Sequence, residues 1–277
     1  MENNIKHIDS RDVKSAVVNM IKKCLTTPDR DVTARLSAIA DDDTLSLSAA
    51  KLIVENNVIA EERGYYACQD TGQAVFMVKL GDRVSCPGLY DALCQATIEA
   101  YATARKSVAD PITRLNTGDN APPIIDVQLV GGDELTISYL AKGAGSENMA
   151  KLYMLKPSDG EDGIISAVVD AVEKGGRNAC PPLIIGVGIG GVTETACMLA
   201  KRAIMRPLSA PSPRDDVRRL EETILDKVNA LGIGIAALGG KTTALSVAIE
   251  VAPTHIGMLP VAVNLQCHSS RHGVITF

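Results

Sequence analysis

The chain has 277 residues, 46% hydrophobic and 22% charged, with 28 basic against 33 acidic residues, no Trp, six Tyr and two Phe. This composition excludes a disordered chain, and the scarcity of aromatics argues against a β-sandwich or barrel. A net charge of −5 with no Lys/Arg run offers nucleic acid no basic stripe, and the longest apolar stretch, 183–192, is half the roughly 20 residues that span a bilayer.

In chain order, apolar residues recur at three- and four-residue spacing over Val13–Leu25, Val32–Ala40 and Leu45–Ala60, predicting three helices, the first capped by Asp9 and Ser10. Ala74–Leu80 reads as a strand and Leu89–Lys106 as a long Ala-rich helix. Ile124–Val130 and Leu135–Ala141 alternate at period two on either side of Gly131-Gly132-Asp133, the pattern of a hairpin. A helix over Ile164–Glu173, a buried strand over Leu183–Ile189 and a helix over Glu194–Arg206 follow. Pro207–Arg214 is the strongest loop, succeeded by an amphipathic helix over Val217–Leu231 and strands over Leu245–Val251 and Leu259–Leu265. No repeat stands out. Helices and strands mix without a regular βα alternation, which gives an α+β class, helix-rich at the N-terminal end and with a mixed sheet. One domain is expected over 1–277, with a helical N-terminal part at about 10–65 and a body at 66–277. The polar, mixed-charge start has neither a signal-type apolar segment nor a transit-type Arg-rich one, so a cytoplasmic location is expected.

Seven cysteines, an odd number at low density, do not make a disulfide framework. Cys24, Cys94 and Cys197 lie in helical patterns among Ala, Leu and Ile, where a thiol serves as a small apolar side chain. Cys68 (ACQDTG), Cys180 (NACPP) and Cys267 (QCHSSRH) instead sit in loop-like contexts beside polar residues or proline. Their separations of 112 and 87 residues match no structural zinc pattern, and on spacing alone three ordinary thiols account for them. Local chemistry points to a thiolate cluster, which favours constrained loops with polar groups alongside. Three thiolates on a four-iron cluster leave one iron open as a Lewis acid toward a hydroxyl or carboxylate. That is chemistry for adding or removing water.

Two glycine motifs compete with this reading. GVGIGG (Gly186–Gly191) follows a strand and opens a helix, as a dinucleotide site does, and an NAD(P)-binding oxidoreductase is the alternative from another class. No acidic residue follows at strand-end spacing to hold a ribose, and tight packing explains the glycines equally well. LGGKTT lacks the first Walker glycine, since Ile235 stands in its place.

ACQDTGQ, NTGDN, AKGAGSENM, MLKPSDG, ACPPLIIGVGIGG, LGIGIAALGGKTT and PVAVNLQCHSSRH run in order along the chain and together resemble the class I, iron–sulfur fumarases, specifically their alpha subunit or N-terminal domain. L-tartrate dehydratase alpha subunits are close relatives, and GSENM and GGKTT resemble the fumarase branch. The resemblance implies the iron-dependent hydro-lyase fold and a [4Fe-4S] cluster held by Cys68, Cys180 and Cys267. It also implies fumarate–malate interconversion, Asp70 as the acid/base partner of the departing hydroxyl, and Gln69, Arg105, Gly145 and His255 as substrate-site residues. Where the family has three consecutive glycines this chain has Gly143-Ala144-Gly145, and His268 and His272 are expected as outer neighbours of the site. A beta subunit would supply the base that takes the carbon-bound proton. The alpha chain is expected to pair with its own copy, giving a heterotetramer; a non-catalytic assembly partner is the remaining alternative.

Overall fold

Asp9 starts the first helix by accepting the Arg11 N–H at 2.8 Å, and Val13, Val17, Ile21 and Cys24 then fall on one buried stripe. In chain order the elements of the computed structural model are β1 (Lys6–His7), α1 (Ser10–Thr26), α2 (Arg30–Ser37), α3 (Thr44–Arg63), β2 (Gln73–Gly81), β3 (Val84–Ser85), α4 (Leu89–Ala100), β4 (Ile124–Val130), β5 (Leu135–Lys142), α5 (Ala144–Glu147), β6 (Lys151–Leu155), α6 (Gly160–Gly175), β7 (Leu183–Gly190), α7 (Thr193–Ala203), α8 (Asp215–Asn229), β8 (Ala244–Ala252), β9 (Leu259–Gln266) and β10 (His272–Thr276). The structure describes residues 5–39 and 44–277; Ala40, the expected end of the second helix, lies outside them. The α+β class is as expected. Among the described residues no helix is long and apolar enough to cross a membrane.

The chain forms two compact units, each discontinuous: residues 1–29, 59–143 and 271–277, and residues 30–58 and 144–270. The Pro-rich loop at 207–214 lies inside the second unit. In the first, a four-stranded sheet has the order β10-β5-β2-β4, with β2 and β4 parallel and the other pairs antiparallel. Helices α1 and α4 bury Val17, Ile21, Leu93 and Ala96 in one core with Phe76, Ile137 and Tyr139 of the sheet.

The second unit repeats this strand arrangement. Its sheet has the order β6-β9-β7-β8, again with one parallel pair, β7 with β8, beside antiparallel ones. In both units a central strand is followed by a helical crossover to a parallel edge strand, then by an antiparallel strand on the central strand's other side. Helices α6 and α8 bury Val168, Val172, Ile224 and Val228 against Ile185, Val187 and Val263, while α7 places Ala196 and Ala200 on Ala262.

Three expectations are corrected. β4 and β5 are strands but not a hairpin, because both pair with β2, which lies between them. β2 carries five buried residues in succession, Ala74–Val78, and such a strand needs cover on both sides. The expected turn instead lies over the end of β2, where a Cβ on Gly81 would stand 2.5 Å from the Gly132 carbonyl oxygen. The fourth helix stops at Ala100, not Lys106: the Lys106 ammonium donates to the Tyr101 carbonyl at 2.5 Å and the Ala102 carbonyl at 3.0 Å, closing the helix end. Cys197 is exposed, although Cys24 is buried as expected.

Candidate functional site

In the first unit the central strand β2 is entered through the turn Cys68-Gln69-Asp70-Thr71-Gly72. Asp70 Oδ1 accepts the Gly72 N–H at 2.9 Å, an Asx turn that aims the carboxylate back along the chain. Gly72 has φ +75, and a Cβ there would come within 2.8 Å of the Ala141 carbonyl carbon, so only glycine lets this turn lie on β5. A Cβ on Gly143 would stand 3.2 Å from Asp70 Oδ2, which places the carboxylate beside the exit from β5. Thr71 Oγ1 donates to the Arg105 carbonyl at 3.1 Å, so Arg105 joins the Asp70 turn. Arg105 is exposed, in a loop beyond α4 instead of on the helix. Cys68 and Asp70 are half-buried and Gln69 is exposed.

The second unit presents matching positions. Cys180 enters the central strand β7 through Pro181-Pro182, and Cys267 leaves β9, whose Gln266 is opposite Ile184 at the start of β7. The His268 N–H donates to the Cys180 carbonyl at 3.4 Å, which ties the two cysteine loops together. Cys180 is a non-glycine residue at φ +54 and is exposed, a conformation that clusters at functional positions. Cys267 is buried, with Gln266 Nε2 at 4.0 Å from its sulfur. Gln266 Oε1 is buried and has no hydrogen-bond partner among the described residues. A Cβ on Gly145 would meet the Asn178 carbonyl at 3.4 Å, two residues before Cys180, so Gly145 joins this group.

Cys68, Gln69, Asp70 and Arg105 therefore gather at one end of the first sheet, and Gly145, Cys180 and Cys267 at the corresponding end of the second. His255 does not join them. It lies in the loop between β8 and β9, past Gly190 and Ala252, at the other end of β7 and about 23 Å of strand from Cys180. Its Nδ1 accepts the Gly257 N–H at 3.1 Å. His272 pairs with Asp29 at 3.6 Å in the first unit.

Among the described residues no cysteine is in a disulfide. Burial pushes the Cys24 thiol up to about 11 and also raises Cys86, which disfavours the thiolate a metal needs. Among the described residues no three His, Cys, Asp or Glu side chains converge as ligands of one metal ion. An iron–sulfur cluster is wider than an ion and takes one thiolate per protein-bound iron. The paired loops of Cys180 and Cys267, with an amide N–H near one sulfur, fit that demand. GVGIGG has a packing role: a Cβ on Gly186 or Gly188 would lie 2.1 Å from the Ala200 carbonyl or 2.0 Å from that of Ala196, so both glycines seat α7 on β7.

Residues 14–276 match the family described as Fumarate hydratase (Fumerase). The chain belongs to the fumarate hydratase family. This Fumerase chain is 37% identical over 246 residues to a Methanocaldococcus jannaschii protein named "Putative L(+)-tartrate dehydratase subunit alpha", covering 84% of this chain and 86% of that one. It is 32% identical over 268 residues to the L(+)-tartrate dehydratase subunit alpha of Escherichia coli strain UTI89, covering 94% and 88%, and 31% identical over 268 residues to that of strain K12, with the same coverage. Fumerase members are hydro-lyases, which gives the reaction class. Sequence reading missed Thr71, Tyr101 and Asn120, which hold the Asp70 turn and the Arg105 loop through backbone carbonyls. Thr71 lies in the ACQDTGQ block and Asn120 in NTGDN, whereas Tyr101 lies in neither.

Proposed function

We propose that this chain is the alpha subunit of a two-subunit iron–sulfur hydro-lyase that dehydrates a four-carbon hydroxy-diacid, with L-tartrate its substrate. The observation that carries the substrate is the name shared by the relatives, L(+)-tartrate dehydratase subunit alpha. This reverses the preference for fumarate drawn from GSENM and GGKTT. Those two motifs and the family's own description keep fumarate–malate interconversion as the second reading.

In this reading Cys68, Cys180 and Cys267 hold a [4Fe-4S] cluster whose iron without a protein ligand supplies Lewis acidity toward the substrate hydroxyl. Arg105 binds a substrate carboxylate, for which a guanidinium offers paired donors, and Gln69 donates an amide N–H beside it. Asp70 delivers a proton to the departing hydroxyl, which leaves as water. Gly145 lets the backbone approach the substrate, as its lack of a side chain beside Asn178 permits. The carbon-bound proton goes to a base on the beta subunit. His255 acts in the site of a second copy, a role its place at the far end of β7 supports.

Exposed apolar side chains on each unit support the reading that the chain works with partners. The first exposes Ile112, Leu115, Val127 and Leu129 on the loop after α4 and on edge strand β4. In the second, the His255 loop carries Ile256, 91% exposed, near Val192. Apolar edges of this kind call for cover.

The test is turnover by the anaerobically prepared chain together with its beta subunit, on L-tartrate, L-malate and fumarate. The expected result is a kcat/KM for L-tartrate at least about tenfold above the others, a difference of about 1.4 kcal/mol in transition-state stabilisation. The reverse order selects the fumarase reading. Full turnover by the chain alone contradicts the two-subunit assignment.

A further inference from the structure

Asn120 ends the NTGDN block, and no substrate role attaches to it. It is only 1% exposed and adopts φ +63, a left-handed conformation that asparagine tolerates better than most residues. Its carboxamide is used at both ends: Nδ2 donates to the Arg105 carbonyl at 2.9 Å, and Oδ1 accepts the Ser107 N–H at 2.6 Å. Thr71 Oγ1 donates to the same Arg105 carbonyl at 3.1 Å. A carbonyl oxygen has two lone pairs, and here both are engaged.

The network continues inward. The Tyr101 hydroxyl donates to the Thr71 carbonyl at 3.3 Å. With its one proton committed there, Tyr101 accepts from Tyr139, whose hydroxyl is 2.6 Å away. Thr71, Tyr101, Asn120 and Tyr139 are all 1% exposed or less. One continuous run of hydrogen bonds therefore begins next to Asp70 and ends on the peptide that carries Arg105. In a low-dielectric interior such a run holds its geometry firmly.

We propose that Asn120 is a positioning residue: with Thr71 it fixes the Arg105 peptide relative to Asp70, so that the arginine meets one substrate carboxylate while Asp70 faces the hydroxyl. The proposal rests on the reading of Arg105 as the carboxylate binder. A long exposed side chain searches a wide volume unless its backbone is fixed, and that freedom is then lost at a cost in affinity when the diacid binds.

Two readouts test it. The first is trypsin cleavage after Arg105 in the full-length chain, followed by mass spectrometry. Asn120→Asp keeps the acceptor for Ser107 but puts an oxygen against the Arg105 carbonyl; Thr71→Val removes a second donor at constant size, leaving the Ser107 hydroxyl at 3.5 Å, and serves if the first variant folds poorly. The expected result is cleavage after Arg105 about tenfold faster in either variant, with cleavage after Arg83 unchanged. The second readout is the two-subunit holoenzyme: KM for the diacid and the inhibition constant of succinate rise about tenfold in Asn120→Asp, kcat stays within about twofold, and the substitution adds nothing in an Arg105→Ala background.

Unchanged cleavage in both variants overturns the proposal. So does faster cleavage with unchanged succinate inhibition, or an equal further loss in the Arg105→Ala background, which would mark a merely structural role. A wild-type holoenzyme that binds succinate no better than acetate overturns the dicarboxylate reading; cleavage after Arg105 that still quickens in the variants then shows the peptide anchored by Asn120 and Thr71, and unchanged cleavage shows that the anchoring has failed as well.

Discussion

Tyr101 and Tyr139 show how a single buried contact sets a pH limit. Burial pushes the Tyr101 hydroxyl up to about 12, and burial followed by the neighbouring Tyr101 raises Tyr139 as well. A tyrosine in the unfolded chain titrates near 10. The folded-state value is the higher one, so this stability is fully present below pH about 10 and is lost as pH rises toward 12. The urea midpoint should therefore fall across that window, and fall less steeply in Tyr101→Phe; equal slopes would show that the pair does not titrate late. Neither tyrosine was legible as a network member, because its partners are another hydroxyl and a backbone carbonyl, which leave no pattern in sequence. Cys68, Cys180 and Cys267 were legible because loop contexts with proline and polar neighbours differ from the apolar helical setting of Cys24. The left-handed backbone of Cys180 was not, since only a glycine or asparagine advertises that conformation in advance.

At the scale of elements, local pattern located α1, β2, α6, β7, α8 and β9 to within a few residues, since each carries its own period. Pairing was another matter. Two alternating segments around Gly-Gly-Asp satisfy the local requirement for a hairpin, yet the strongly apolar β2 competes for both and takes the place between them. The same lesson applies to GVGIGG, whose glycines answer to a helix that packs on the strand. Gly188→Ala should lower stability by about 1–3 kcal/mol, the cost of forcing a methyl group into a filled space. Gly131→Ala, with nothing within 4 Å, should stay within about 0.5 kcal/mol. Equal urea midpoints for the two variants would refute the packing account. Glu221 is a second element-level tie. It pairs with Arg206, accepts the Ile249 N–H at 2.8 Å and the Ser212 N–H at 3.2 Å, and so fastens α8 to β8 and to the Pro-rich loop. Glu221→Ala takes the acceptor from the Ile249 and Ser212 N–H groups, while Arg206 keeps Glu250 at 3.6 Å, and should cost about 2–4 kcal/mol in denaturant unfolding; a loss under 1 kcal/mol would show that the loop is held by other contacts.

For the whole molecule, the repeated strand arrangement gives the candidate residues their order. Cys68 and Cys180 each stand before a central strand, and Gly143 and Cys267 each follow the antiparallel strand beside it. No sequence repeat betrays this, because the arrangement lives in strand order and not in shared residues. Exposed apolar side chains gather on the β4 edge with its neighbouring loop in one unit and on the His255 loop in the other. The central claim, that these three thiols hold one cluster, is tested most directly by iron and sulfide content after anaerobic reconstitution of the chain with its partner. Wild type and Cys24→Ser should retain about four iron per chain, while Cys68→Ser, Cys180→Ser and Cys267→Ser should each lose most of it. Retention of iron and sulfide at the wild-type level in all three would contradict the account.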